Sequence, residues 1–188
     1  REIFGEDVTP EQSVVLMLKD VRHEGDAAVR RYAKLLDGAD LNDLMVEPKE
    51  MRQALDGISK DLRESLELAA QRVTDFHQAV MPKSWVDLEP GLGEMVRPLE
   101  RVGLYAPGGT AAYPSTVLMT AIPAKVAGVK EIVLATPPRG DQGPHPSVLA
   151  AALIAGISRV FQVGGAQAIA AMAYGTESIP RVDMICGP

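Results

Sequence analysis

The stretch VGLYAPGGTAAYPSTVLM, residues 102–119, decides how the second half of the chain folds. An apolar run of strand length breaks at Pro107, Gly108 and Gly109, and the sequence then resumes with helical spacing. That is a strand feeding a helix through a tight turn. The pattern recurs. Strands are predicted at 101–105, 131–135, 159–163 and 182–186, with helices at 115–129, 146–156 and 166–174 between them. Such βα alternation requires a mostly parallel sheet, because parallel neighbours must be joined by crossovers. Pro123 falls inside the first crossover helix and is expected to kink or break it.

The predicted strands run into APGG, ATPP, VGGAQ and CGP, so small and rigid residues gather at the carboxyl edge of the sheet. Ligands of open α/β sheets bind at that edge, and these turns suggest a single cleft. Glycine there permits positive φ and close backbone approach, and N–H groups at a helix start can cradle an anion. Pro107 sets the entry to the turn, leaving the bending to Gly108 and Gly109 and Tyr105 at the lip. Standard nucleotide fingerprints do not fit. GLYAPGGT nearly has P-loop spacing, but Gly109 stands where the phosphate-binding lysine belongs. The G-x-G-x-x-G pattern is absent, and the second strand ends in Thr136, Pro137, Pro138 and Arg139 rather than a ribose-binding acid. A dinucleotide would be held in a non-standard way; tight turns in a packed domain are the alternative.

The first half is helical. TPEQ offers Thr9 as an N-cap, Pro10 at the first helical position and Gln12 to close a capping box. Asp26 is expected to cap a second helix carrying Val29, Tyr32, Ala33 and Leu36, which Gly38 ends. A longer helix follows Ser59, with one continuous apolar face of Leu62, Leu66, Ala69, Val73, Phe76 and Val80, until Pro82. Its charged neighbours, such as VRHEGDAAVRRYAKLLDG, are a solvated face with an apolar underside, or else a dimer surface. The expected division is a helical amino-terminal part, 1–99, and a truncated α/β lobe, 100–188.

Composition narrows the function. The 188 residues are 46% hydrophobic, enough for a real core. A net charge of -6 argues against a nucleic-acid partner, since phosphate backbones are held by clustered Lys and Arg. With Cys186 as the single cysteine there is no internal disulfide framework, which suits a reducing cytoplasm. The longest strongly apolar stretch, 148–157, falls short of the ~20 residues of a spanning helix, and no leader pattern precedes the first acidic residues. Arg1 is not an initiator methionine and DMICGP stops as its turn begins, so the sequence reads as a fragment. His23, His77 and His145 share no i,i+4 spacing and do not suggest a metal site. Cys186 could add to an aldehyde as a thiolate or be a small apolar strand residue. Tyr113 could line the substrate side of the cleft or pack under the crossover helix.

Two blocks, RPLERVGLYAPGGTAAYPSTVLMTAIPAKVAGV and FQVGGAQAIAAMAYGTESIPRVDMICGP, closely resemble the histidinol dehydrogenases, and the helical first half does so more weakly. The resemblance implies a Rossmann-like lobe, incomplete here, of a zinc-containing homodimer. It implies oxidation of L-histidinol through L-histidinal to L-histidine, with reduction of NAD. Cofactor contacts carry over to Tyr105 and Gln167, and the surrounding turns supply Pro107, Gly108, Gly109, Gly164, Gly165 and Pro188. The family's zinc ligands, its Glu-His pair and the asparagine of GPGN are expected beyond Pro188, so this segment is expected to hold no catalytic or metal residue and to be inactive alone. Two alternatives stay open. One is a paralogous dehydrogenase for another alcohol, such as a sulfonated diol; the other is a nucleotide-binding or dimerisation module without chemistry.

Overall fold

A computed structural model describes residues 8–108 and 111–188. Gly109 therefore lies outside the described residues. The chain opens with four helices, α1 (Pro10–Glu24), α2 (Asp26–Asp37), α3 (Pro48–Gly57) and α4 (Lys60–Ala79). A small antiparallel hairpin, β1 (Trp85–Asp87) and β2 (Leu92–Glu94), follows. Then come β3 (Arg101–Tyr105), α5 (Pro114–Val126), β4 (Glu131–Thr136), a 3-10 turn (Gly140–Gln142), α6 (Pro146–Ala155), β5 (Arg159–Gln162), α7 (Gly165–Tyr174) and β6 (Met184–Cys186).

Local chemistry explains several of the boundaries. At α1 the capping box is complete: Gln12 N–H donates to Thr9 Oγ1 at 3.3 Å, and Thr9 N–H donates to Gln12 Oε1 at 2.8 Å. Gly38 ends α2 in the left-handed conformation, φ 64° and ψ 22°. Asp26 differs from expectation. It is the first helical residue, Gly25 is the N-cap, and the Asp26 carboxylate turns away to a distant loop. The helix start is capped instead by Glu177, whose Oε2 accepts from Asp26 N–H at 2.8 Å.

Pro123 does not break α5. The helix runs on to Val126, and Ala127 N–H donates to the Pro123 carbonyl at 2.9 Å. Near the last turn a proline forfeits only one ladder bond, and the buried Val117, Leu118, Ala121 and Ile122 hold the helix in place. The long apolar face of α4 is covered only in its middle. Leu66 is buried, and Ala69 and Val73 pack on the core, but Phe76 and Val80 are exposed.

The main sheet is parallel throughout, in the order β5-β4-β3-β6. Alternation along its strands builds two cores. Val102, Leu104, Leu134 and Val160 face α5 and α6, over which α3 and α4 pack. Val133, Ala135, Phe161 and Val163 face the other way, toward a layer in which α7 packs with α1 and α2. The change of face at α7 follows from topology. β3, β4 and β5 step in one direction, the connection to β6 steps back, and right-handed crossovers then place α7 opposite α5 and α6.

The helical segment also covers the β5 edge. Val46 N–H donates to the Val160 carbonyl and Gln162 N–H to the Leu44 carbonyl, each at 2.8 Å. At the amino ends of the strands Glu131 bridges Arg101 and Arg159, both at 2.5 Å. Burial pushes the Glu131 carboxyl up, but hydrogen bonds from the two guanidiniums outweigh it and hold the group below its usual range.

Candidate functional site at the carboxyl edge

Because the sheet is parallel, every strand delivers its turn to the same edge. The strand order also reverses there: from β3 the chain proceeds through β4 to β5 and returns to the other flank of β3 with β6. The turns after β3 and β6 thus flank a topological switch point, where open α/β sheets form their ligand crevice.

The turns after β3 and β5 are joined across the end of β4. Gly165 N–H donates to Tyr105 Oη at 3.2 Å. Gly165 is in the left-handed region, φ +61°, and a Cβ there would lie 2.6 Å from Gln167 Oε1. Its backbone angle favours glycine, and a side chain there would also displace the Gln167 amide. Gln167 is 1% exposed, and neither its Oε1 nor its Nε2 has a hydrogen-bond partner. A buried primary amide left in that state is costly, and it stands two residues from Gly165, the Tyr105 hydroxyl's partner.

Gly108 and Gly164 both pack against the same neighbour. Neither adopts positive φ. A Cβ on Gly108 would lie 2.7 Å from Pro137 Cγ, and one on Gly164 would lie 2.7 Å from Pro137 Cβ. Both glycines make room for one proline ring. On the β6 side a Cβ on Gly187 would lie 2.7 Å from the Tyr105 carbonyl oxygen, so the turn carrying the exposed Pro188 abuts the end of β3. Pro107 is half-buried at the start of its turn.

The other candidates fall elsewhere. Cys186 is half-buried in β6 and packs against the α5-side core, the place of a small apolar residue. Tyr113, 43% exposed, precedes α5 and is not buried beneath it. His145 caps α6, accepting from Ser147 N–H at 3.2 Å, with burial first and Arg139 second pushing its pKa down. His77 lies edge-on to Phe76, and His23 is in the last turn of α1. Among the described residues no group of three or more His, Cys, Asp and Glu side chains could hold a metal ion.

Sequence reasoning missed two features. One is the Pro137 ring, whose only signal was the paired proline of ATPP. The other is a cleft of about 660 Å³ beyond the β5 edge, whose lining includes Asp40, Asp43, Glu47, Glu50, Asp141 and Gln162. Its lining comes from the 40–57 region and the 3-10 turn, which no single sequence window brings together.

A four-stranded parallel sheet in the order β5-β4-β3-β6, with glycine-bearing turns at its switch point, defines a Rossmann-like α/β lobe. A family model described as histidinol dehydrogenase matches residues 5–188. The chain belongs to the histidinol dehydrogenase family. It is 52% identical over 180 residues to a histidinol dehydrogenase of Methanosarcina mazei, covering 94% of this chain and 42% of the relative. A histidinol dehydrogenase of Dehalococcoides mccartyi is 52% identical over 182 residues, covering 96% and 42%. The crystal structure of histidinol dehydrogenase from Elizabethkingia anophelis superposes with a TM-score of 0.92 at 35% identity, covering 97% of this chain and 43% of that one. The chain therefore spans less than half the length of these relatives.

Proposed function

We propose that this chain is the nucleotide-holding lobe of an NAD-dependent dehydrogenase that oxidises L-histidinol through L-histidinal to L-histidine. The observation that carries the reading is Gln167, a buried amide without a partner beside the Tyr105–Gly165 hydrogen bond. Such an amide fits a cofactor rich in donors and acceptors. Tyr105 and Gln167 would hold NAD by side chain, and Pro107, Gly108, Gly109, Gly164, Gly165 and Pro188 would shape the turns around it. NAD, when bound, takes the hydride from the alcohol carbon; the lobe supplies position and a dry surface. Zinc does not fit the described residues, which offer no ligand group, so its site would belong to the rest of the longer enzyme.

A homodimer is the assembly we propose. Trp85, Val86, Leu88 and Leu92 of the small hairpin are exposed, which suits burial against another surface. No described helix is long and apolar enough to cross a membrane. A cytoplasmic location is the proposal that suits a chain whose one cysteine is free.

NADH absorbance in a full-length enzyme carrying this segment tests the reaction. Formation of NADH with L-histidinol is expected; formation only with another alcohol would move the assignment to a paralogous dehydrogenase, and none with any alcohol to a binding module. Gln167→Met tests the site, because its two effects should have opposite signs. Without NAD the variant removes an unpaired buried amide and should unfold at a temperature equal to or above that of the parent. NAD binding should weaken by about 1 to 2 kcal/mol, the worth of a buried hydrogen bond. Unchanged NAD affinity in both Gln167→Met and Tyr105→Ala, by calorimetric titration, would remove the assignment.

A further inference from the structure

We infer that Pro137 is a positioning residue for the nucleotide: its ring is the spacer that sets the separation of the turns after β3 and β5. The inference rests on the reading that a nucleotide is held by Tyr105, at the end of β3 where the first turn begins, and Gln167, in the first turn of α7 where the second turn ends.

β4 lies between β3 and β5, so its carboxyl end is flanked by both turns. Pro137, the first residue past β4, occupies that gap. The missing Cβ of Gly108 would meet its Cγ at 2.7 Å and Cδ at 3.3 Å, and the missing Cβ of Gly164 would meet its Cβ at 2.7 Å and its Cα and Cγ at 3.4 Å. The turn after β3 thus rests on the outer atoms of the ring, and the turn after β5 rests on its inner atoms. Over the same strand end, the Gly165 N–H to Tyr105 Oη bond ties the two turns together. One hydrogen bond draws them in, and one ring keeps them apart. A proline suits the second task because its ring fixes φ and has no free rotation about χ1, so it cannot swing aside as a flexible side chain would. Neither glycine is held by backbone angle: Gly164 has φ -113° and Gly108 is not left-handed. What excludes a side chain at each is the ring.

Trimming the ring leaves the tie without its spacer. Tyr105 and Gln167 then lose their fixed separation, and misplacement of binding groups by an ångström is enough to cost affinity and rate.

The test is a set of variants in the full-length enzyme, read by calorimetric NAD titration and by thermal unfolding without NAD. Pro137→Ala is expected to weaken NAD about tenfold while the unfolding midpoint moves by only a few degrees. The rescue pattern is sharper. Gly108→Ala and Gly164→Ala should each weaken NAD. Pro137→Ala removes Cγ and Cδ but keeps Cβ, so it should restore binding in Gly108→Ala and fail to restore it in Gly164→Ala. Pro137→Gly removes Cβ as well and should relieve Gly164→Ala. Wild-type NAD affinity in Pro137→Ala, or rescue of both glycine variants or of neither by that substitution, would overturn the spacer role while Gln167→Met and Tyr105→Ala stay impaired. If those two bind NAD normally, the underlying reading fails and the inference falls with it.

Discussion

Residues 1–188 on their own are expected to form no NADH from L-histidinol, with or without added zinc, under conditions where a full-length enzyme carrying the same segment does. The expectation rests on what the described side chains can assemble. Among the described residues no group of three or more His, Cys, Asp or Glu side chains could hold a metal ion. The three histidines are spent on other tasks or lie apart, one capping α6 and another packed edge-on to Phe76. A general base must come within hydrogen-bond reach of the proton that it removes, and a metal needs convergent ligands. The carboxyl edge instead offers a tyrosine, an amide and several turns. Purified chain and full-length enzyme would be compared side by side by NADH absorbance. Chelator-sensitive turnover by the 188 residues would contradict the placement of the catalytic and metal-binding groups elsewhere in the longer enzyme.

The second large effect is on stability. Asp26→Ala should destabilise the chain by about 3 kcal/mol, and Asp26→Asn by roughly half as much. The Asp26 side chain is buried, and it accepts hydrogen bonds from Thr176 Oγ1 at 2.6 Å, Ser178 Oγ at 2.5 Å and Ser178 N–H at 3.3 Å, with Arg30 at 3.4 Å. Glu177, between those two hydroxyl residues, reaches back to the Asp26 N–H. The pair of carboxylates therefore pins the connection after α7 to the start of α2. Removing the Asp26 carboxylate leaves its donors unpaired in a part-buried site. Burial raises the pKa of this carboxyl, but the Ser178 and Thr176 hydroxyls and the Ser178 amide outweigh it, so the folded value lies below the ordinary aspartate range. The sign follows: the stabilisation is fully present above the unfolded aspartate pKa and fades as pH falls through the lowered folded value. Urea unfolding from neutral to strongly acidic pH should show that loss in the parent and a flatter acid limb in Asp26→Asn. Parallel curves for the two would refute the linkage.

Asp26 also shows where sequence reading stops. Its position after Gly25 invites an N-cap reading, but its partners lie about 150 positions away. Local chemistry was legible wherever the deciding contacts are local. The capping box at Thr9, the left-handed Gly38 and the start of β3 in the opening stretch are settled within a few residues, and the structure agrees with each. The parallel sheet was legible because crossover alternation leaves few other topologies. Helix α3 was passed over: EPKEMRQALDG holds one buried residue, Met51, too weak a pattern to stand out. Pro123 does not break α5 because the cost of a helical proline depends on how much packing opposes it. At the site, the sequence shows that Gly108 and Gly164 are glycines, but which atoms claim their vacant space is decided by strand order. That is why Pro137 could be read as a rigid strand-end residue but not as the neighbour of both glycines.

Strand order has a further consequence, for the growing chain on the ribosome. β3 acquires one neighbour, β4, almost at once, but its other neighbour, β6, arrives much later: Arg101 N–H is bonded to Asp183, 82 positions onward. At translation speeds of about 5 to 20 residues per second, that flank of β3 stays open for on the order of 4 to 16 seconds after β3 is made. During that interval the strand presents unpaired N–H and C=O groups along an apolar core strand, an invitation to foreign pairing. The β5 flank behaves in the opposite way. Its covering residues, Leu44 and Val46, are already synthesised when β5 emerges, so that edge closes as soon as it forms. The nascent lobe is thus protected on one side from the start and vulnerable on the other until β6 docks, and slowed synthesis between residues 106 and 183 should raise aggregation more than slowing before residue 100.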